Sequence, residues 1–325
     1  MRRETVPAAL AGERLDRVVA MVAGVSRREA AALVTGGAVR LDGRVVTAVA
    51  HRVREGDELE LPEPEPAPAG PEPDPTVDVP VVHEDPDVVV VDKPAGLVVH
   101  PGPGRERGTL VHGLLARYPD LADLGADPGE GDDDAEGGAE GGFGVDASRP
   151  GIVHRLDKGT SGLLVVARTP AAYASLVEQL SARTVERTYA ALVWGHPDPP
   201  RGVIDAPIGR SPRHPTRMAV TAGGRPARTR YATRAAYREP AVVALLECRL
   251  ETGRTHQIRV HLAAVGHPVV GDDQYGGRRP GAGLTLERPF LHAEALAFTH
   301  PRTGERVAFR SALPGDLALV LDGLR

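Results

Sequence analysis

The stretch GIVHRLDKGTSGLLVVART, residues 151–169, places charged and polar side chains between two apolar runs. Glycines stand at 159 and 162 in its polar centre, His154–Gly162. Such a tight turn between buried elements is either punctuation or a rigid loop that presents one side chain. Asp157 is the side chain this loop would present. Taken alone, it reads equally well as an aspartate capping the turn at Lys158 and Gly159. The apolar run that follows predicts a buried strand.

Charge usage leads back to the same place. Of 39 basic residues only Lys93 and Lys158 are lysines, and both lie in motif-like stretches, VDKPAG and HRLDKGTSG. A compact ammonium is not interchangeable with a guanidinium, so lysine is meaningful in a chain that otherwise uses arginine. The net charge of −5 is misleading. Residues 61–80 hold five acids and no base, and residues 120–146 hold ten acids and no base. Without those fifteen, 29 acids face all 39 bases, a net of +10. A basic folded part suits a polyanion such as nucleic acid.

A chain of 325 residues accommodates two domains with buried cores. No early apolar run has the length of a signal peptide, and none spans a bilayer, so a cytoplasmic protein without membrane contact is expected. The single cysteine, Cys248 in VVALLECRL, excludes an internal disulfide and a cysteine-based zinc site and reads as a buried strand thiol.

Residues 1–61 read as a small module. ERLDRVVAMVAG carries Leu15, Val18, Val19 and Val22 at helical spacing. SRREAAALVTGG predicts a second helix with Ser26 as N-cap and a stop at Gly36 and Gly37. AVRLDGRVV predicts a hairpin turning at Asp42 and Gly43, and VREGDELEL a further strand. Residues 62–80 are rich in proline and acid and predict an extended linker. Residues 81–325 alternate strands, among them DVVVVDK, GLLVVAR, TYAALVWG, VVALLECRL and RVAFRSAL, with helices. One helix follows Pro170. Another is expected over THQIRVHLAAVG, with Thr255 as N-cap and Gly266 as stop. A glycine-rich acidic segment, about residues 120–148, is expected to be a disordered insertion.

Several signals are discounted. His256, His261 and His267 are spaced five and six apart, off one helical face, and no HExxH pattern occurs. GPGRERG lacks the GK[ST] of a phosphate loop. Aromatic residues make up 3%, too few for a stacking-platform RNA binder. His154 reads as an orienting hydrogen-bond partner rather than a base.

Four stretches together carry a resemblance: VDKPAGLVVHPG (91–102), GIVHRLDKGTSGLLVVART (151–169), VERTYAALVWG (185–195) and ETGRTHQIRVHLAAVGHPVVGD (251–272). In order and spacing they resemble the RNA pseudouridine synthases of the RluA/RluD family, and residues 1–61 resemble the S4-type RNA-binding domain some members carry. The resemblance implies an α+β protein: a small S4-like module followed by a catalytic domain on a mixed, mainly antiparallel sheet crossed by the active-site cleft. It implies an isomerase that converts specific uridines to pseudouridine, most closely in large-subunit (23S) ribosomal RNA, acting as a monomer with RNA as its partner.

That reaction moves the ribose from a ring nitrogen to ring carbon five. No net oxidation or hydrolysis occurs, so no cofactor and no metal is expected. The family's catalytic aspartate falls on Asp157, and its pairing arginine on Arg259. Three chemistries are open to Asp157: attack on the ribose, addition to the base, or assistance to glycal formation. Tyr189 matches the tyrosine that stacks on the uracil. Arg155 matches the arginine that fills the gap left by a flipped base, and Leu291 the apolar residue packed against that base. Arg14, Arg17, Arg27 and Arg28 of the module are the expected phosphate contacts. A non-catalytic RNA-binding ribosome-assembly factor on the same fold is the alternative. A nucleoside hydrolase is a third reading, and no water-activating second acid is apparent for it.

Overall fold

The computed structural model describes residues 2–25, 27–62, 70–102, 104–125, 149–214 and 216–325, apart from the side chains of residues 27–29. Two compact units result, one within Met1–Gly70 and one from Pro71 to Arg325. Among the described residues no helix is long and apolar enough to cross a membrane.

The first unit contains β1 (Arg2–Thr5), α1 (Leu15–Ala23), α2 (Arg27–Thr35), β2 (Arg40–Leu41), β3 (Arg44–Val45) and β4 (Glu58–Leu61). The 3.6-residue period of α1 puts Leu15, Val18 and Val19 on one buried face, and Gly24 ends the helix in the left-handed region. Asp42 and Gly43 both take positive φ, the requirement of a tight hairpin turn between β2 and β3. The four strands form one antiparallel sheet in the order β1-β4-β2-β3. The expected N-cap Ser26 lies outside the described residues.

The second unit is built on a sheet of nine described strands. In chain order its elements begin with β5 (Val81–Glu84), β6 (Val88–Lys93), α3 (Leu110–Arg117), β7 (Ser161–Ala167), α4 (Pro170–Ser181) and β8 (Glu186–Trp194). They continue with β9 (Arg201–Asp205), β10 (Ile208–Arg210), β11 (Met218–Val220), β12 (Arg228–Tyr237) and β13 (Val243–Leu250). The last are α5 (Gln257–Ala264), β14 (Leu291–Thr299), β15 (Arg306–Arg310) and α6 (Gly315–Asp322). The sheet order is β5-β6-β7-β14-β8-β13-β12-β9, with β15 also pairing to β14, while β10 and β11 form a separate hairpin.

The continuous apolar runs of β6 and β7 have a direct cause: both sheet faces are covered there. Val89, Val91, Leu164 and Val166 enter one core cluster, while Val88, Val90, Leu163 and Val165 enter a second beneath α4. Each such buried side chain contributes about 1.5–3 kcal/mol. The pairing of β7 with β14 is parallel, while the other recorded strand pairs of this sheet are antiparallel.

Three expectations change. The linker expected over 62–80 is shorter than its composition suggested. Val79 is buried in the main core, Val77 and Val79 crowd Gly113 of α3, and the Asp74 N–H donates to the His112 carbonyl. Apolar anchors in an acidic stretch outweigh the average composition. Residues 63–69 of that linker lie outside the described residues. The first residues of the insertion expected over 120–148 are ordered, because Pro119–Gly125 is a 3-10 helix that buries Leu121 and Leu124. Residues 126–148 lie outside the described set. Finally, Thr255 does not cap α5, since the residue before the helix is His256.

β14 was not foreseen, because LHAEALAFT mixes alanine, histidine and glutamate. Pairing with β7, β8 and β15 makes it a strand regardless. Its contact with β7 depends on Gly162, at φ 114°, where a Cβ would stand 2.3 Å from the Ala293 carbonyl oxygen. Gly162→Ala is expected to destabilise the protein by more than about 3 kcal/mol, read as a lowered denaturation midpoint. A change under about 0.5 kcal/mol would show that the strands can separate freely here.

Candidate active site

Asp157 sits in the turn that leads into β7, and three backbone contacts fix that turn. The Thr160 N–H donates to the Asp157 carbonyl at 3.0 Å. The Gly96 N–H donates to the Lys158 carbonyl at 2.7 Å. Arg288 donates to the Gly159 carbonyl at 3.2 Å and is itself held by Asp316 at 2.6 and 2.8 Å.

The two lysine stretches therefore meet, though not through their charges. Lys93 ends β6 fully buried, and its Nζ donates to the carbonyls of Pro94 and Leu97 at 2.9 and 2.8 Å. This closes the 94–97 turn that presents Gly96. Burial pushes the Lys93 ammonium down to about 7, against the attraction of Asp157. Lys158 is exposed, and its carbonyl is the group that this contact uses.

Arg259, in the first turn of α5, donates through Nη1 to Asp157 Oδ2 at 3.1 Å. Its Nε and Nη2 form a fork on Asp272 at 2.7 and 2.9 Å, and Nη2 also reaches Gln274 at 3.1 Å. Burial alone would lower the guanidinium's pKa, but the bonds and charges of Asp272 and Asp157 raise it instead. The arginine is thus a fixed cation held by two carboxylates of different exposure. The Asp272 side chain is 0% exposed and that of Asp157 is 17% exposed. The free edge of Asp157 faces a cleft.

That cleft is lined by Asp157, Arg155, Tyr189, Arg187, His256 and Leu291, among others. Tyr189 enters from the middle of β8, opposite Cys248 and Ala293. Burial pushes its phenol up to about 12, so it is present as the neutral hydroxyl. Leu291 comes from the start of β14 and is 3% exposed. Arg155 is half-buried, with Nη1 3.4 Å from His100 Nε2. The expected residues Asp157, Arg259, Tyr189, Arg155 and Leu291 therefore converge on one site.

His154 does not touch this carboxylate. Its Nε2 accepts the Val165 N–H at 3.2 Å, and burial, then the Arg187 charge, pushes it down to about 3. It is a neutral support for β7. Cys248 is buried in β13, as expected of a strand thiol.

In the first unit Arg14 forks onto buried Asp16 at 3.0 and 2.9 Å, and Arg17 pairs with Glu13 at 3.1 Å. The side chains of Arg27 and Arg28 lie outside the described residues.

Residues 87–264 match the RNA pseudouridylate synthase family, and residues 13–59 match the S4 domain. The chain belongs to the RNA pseudouridylate synthase family. It is 47% identical to a protein of Chloroflexus aurantiacus named as an uncharacterized RNA pseudouridine synthase, over 98% of this chain and 92% of that one. It is 40% identical to the ribosomal large subunit pseudouridine synthase D of Nitrosomonas europaea, over 99% of this chain and 87% of that one. Among solved structures, human RNA pseudouridylate synthase domain containing 1 superposes with a TM-score of 0.53 at 28% identity, covering 75% of this chain and 86% of that one. The synthase thus joins an S4 domain to a pseudouridine synthase fold of mixed sheet and helices.

Sequence reasoning missed Asp272, Arg187 and Tyr275. A signal for Asp272 existed. An arginine as buried as Arg259 needs more negative charge than one aspartate at the cleft edge supplies. For Arg187 the signal was spatial: a Cβ on Gly253 would stand 2.9 Å from its Nη1, so glycine leaves room for the guanidinium. The β10–β11 hairpin was also passed over. It carries the exposed Arg213 and Arg217, and its residue Met218 packs with Tyr275 against Val260 of α5.

Asp272→Asn in the synthase removes one of two charges balancing a buried cation. We expect a loss of about 3 kcal/mol in urea unfolding and a lower turnover, because Arg259 is no longer held against Asp157. Unchanged stability would show that Asp157 and solvent suffice.

Proposed function

We propose that the synthase isomerises specific uridines of large-subunit ribosomal RNA to pseudouridine, with Asp157 as the carboxylate that engages the nucleotide. The observation that carries this reading is the asymmetry around Arg259: one carboxylate is buried, and the other is held by the same guanidinium at the cleft edge. The RNA target is supported by the full-length likeness to large-subunit synthases D of Nitrosomonas europaea and Xanthomonas campestris, the latter 42% identical over 100% of this chain and 93% of that one.

In the reaction the bond from the ribose anomeric carbon to N1 breaks and a bond to C5 forms. C5 gives up its hydrogen as a proton and N1 gains one, so charge and atoms balance without water or an oxidant. The site supplies a carboxylate fixed by Arg259, and Tyr189 and Leu291 give the base a largely apolar wall. A paired uridine must leave its stack to reach Asp157, at a cost of roughly a few kcal/mol. Arg155, beside Asp157, has the planar charge to stack in the vacated space and bind phosphate. Arg14, Arg17, Arg27 and Arg28 of the S4 domain serve as phosphate contacts in this reading, with Arg213 and Arg217 on the hairpin beside α5.

Asp157→Asn keeps the size of the side chain and removes its charge. The rate of pseudouridine formation, followed by tritium release from RNA labelled at uridine C5, is expected to fall by at least about a thousandfold, with RNA affinity retained. Activity within about tenfold of wild type would overturn the assignment.

Replacing Arg213 and Arg217 together by Gln is expected to weaken RNA binding and flatten the log–log salt dependence by about one to two. An unchanged slope would remove the hairpin from the RNA surface.

A further inference from the structure

Four side chains form a ring at the catalytic carboxylate. Arg259 holds Asp157 Oδ2 at 3.1 Å, and its guanidinium lies 5.0 Å from the Tyr275 ring centroid. The Tyr275 hydroxyl lies 2.8 Å from His256 Nδ1. His256 Nε2 then returns to Asp157, 4.0 Å from Oδ1. The first three links are contacts and the fourth is a gap. It is too long for a hydrogen bond. A ligand atom that approaches Oδ1 also comes within reach of Nε2.

His256 holds this place in an unusual conformation. Its φ of 57° and ψ of 21° lie in the left-handed region, directly before α5. The residue before a helix is ordinarily extended, and left-handed residues with side chains concentrate at functional sites. The imidazole is not turned away from the site, since it lines the cleft together with Asp157 and Tyr189.

The Met218 N–H donates to the Tyr275 hydroxyl oxygen at 3.2 Å, and in one of the two imidazole tautomers the hydroxyl donates its own proton to His256 Nδ1. A neutral imidazole that accepts at Nδ1 carries its hydrogen on Nε2. The donor therefore points toward the gap beside Asp157.

We propose that His256 holds the target uridine, donating from Nε2 to a carbonyl oxygen of the pyrimidine as the base lies against Asp157. This rests on the reading of Asp157 as the reacting carboxylate. The chemistry calls for such a group. Between cleavage and rejoining, the free uracil must turn so that C5 replaces N1 opposite the anomeric carbon. A fixed donor at the carboxylate keeps the base in the cleft while it turns.

The charged and titratable groups around the imidazole are Asp157 and Arg155 from the catalytic loop, Arg259 from α5, and Asp272 and Tyr275 from the loop after α5. Burial is the largest influence and keeps the imidazole below its ordinary value despite Asp157 and Asp272. The neutral imidazole is therefore the favoured form at neutral pH. Protonation in acid would make an imidazolium that takes Oδ1 of Asp157 for itself. Turnover is expected to be flat through neutral pH and to fall only in acid, as the imidazole takes a proton.

The test uses the full chain and transcribed large-subunit ribosomal RNA tritiated at uridine C5, under single turnover between pH 5 and 8. His256→Asn suits the left-handed backbone but lacks the reach. It is expected to melt near the wild-type temperature and to react at least about tenfold more slowly, with RNA affinity within about threefold. His256→Gln extends an amide N–H into the same space, and is expected to recover part of the rate and to lose the acid limb. A wild-type rate in His256→Asn, an unchanged acid limb in His256→Gln, or a loss of affinity equal to the loss of rate would overturn the proposal. A wild-type enzyme that releases no tritium would overturn the underlying reading and this role with it. A wild type that reacts alongside an equally fast Asn variant would overturn this role alone.

Discussion

A buried cation organises the catalytic domain. Arg259 is 5% exposed, and a guanidinium that far from water is tolerated only where its charge is balanced and its donors are used. Asp272 provides the balance from a turn where its carboxylate also accepts the N–H groups of Gln274 and Tyr275. Gln274 takes the second hydrogen of Nη2, and Asp157 binds the third nitrogen, Nη1. The division between an enclosed acid and one open to the cleft follows from exposure. A carboxylate enclosed on all sides is a support, and one bound at a single oxygen keeps an edge toward the cleft.

The rest of the domain holds Asp157 at that spot. The turn that carries Asp157 is gripped at its backbone, so the side chain stays available. Gly96 reaches it because Lys93 closes the preceding turn from inside the protein, and Arg288 reaches it because Asp316 of α6 orients the guanidinium. Elements from residue 93 to residue 316 therefore bear on one loop of four residues. The sheet adds the apolar wall. Tyr189 and Leu291 come from β8 and β14, neighbours in the sheet although far apart in the chain.

Local patterns explain why some of this was legible in advance. The four-residue runs of valine and leucine in β6 and β7 have one stable use, a strand buried on both faces. The amphipathic period of α1 and the Asp-Gly turn of the first unit are equally direct. The misreadings came where average composition was set against a few anchoring residues. Val77 and Val79 tie down an acidic, proline-rich stretch, and Leu121 and Leu124 do the same beside the acidic segment.

The sequence by itself determined the two-part organisation, the basic character of the folded regions, and the place of Asp157, Tyr189 and Arg259 in motifs that resemble one family. Periodicity and turn residues carry the organisation, residue counts carry the charge, and the three positions follow from the resemblance. Tertiary structure alone decided that β14 lies between β7 and β8, that Asp272 rather than a nearer acid balances Arg259, and that Arg187 fits where Gly253 has no side chain. It also decided that His256 faces the carboxylate instead of sitting in an ordinary helical turn. Each depends on groups many residues apart competing for the same buried space and charge, and no local pattern records the outcome of that competition.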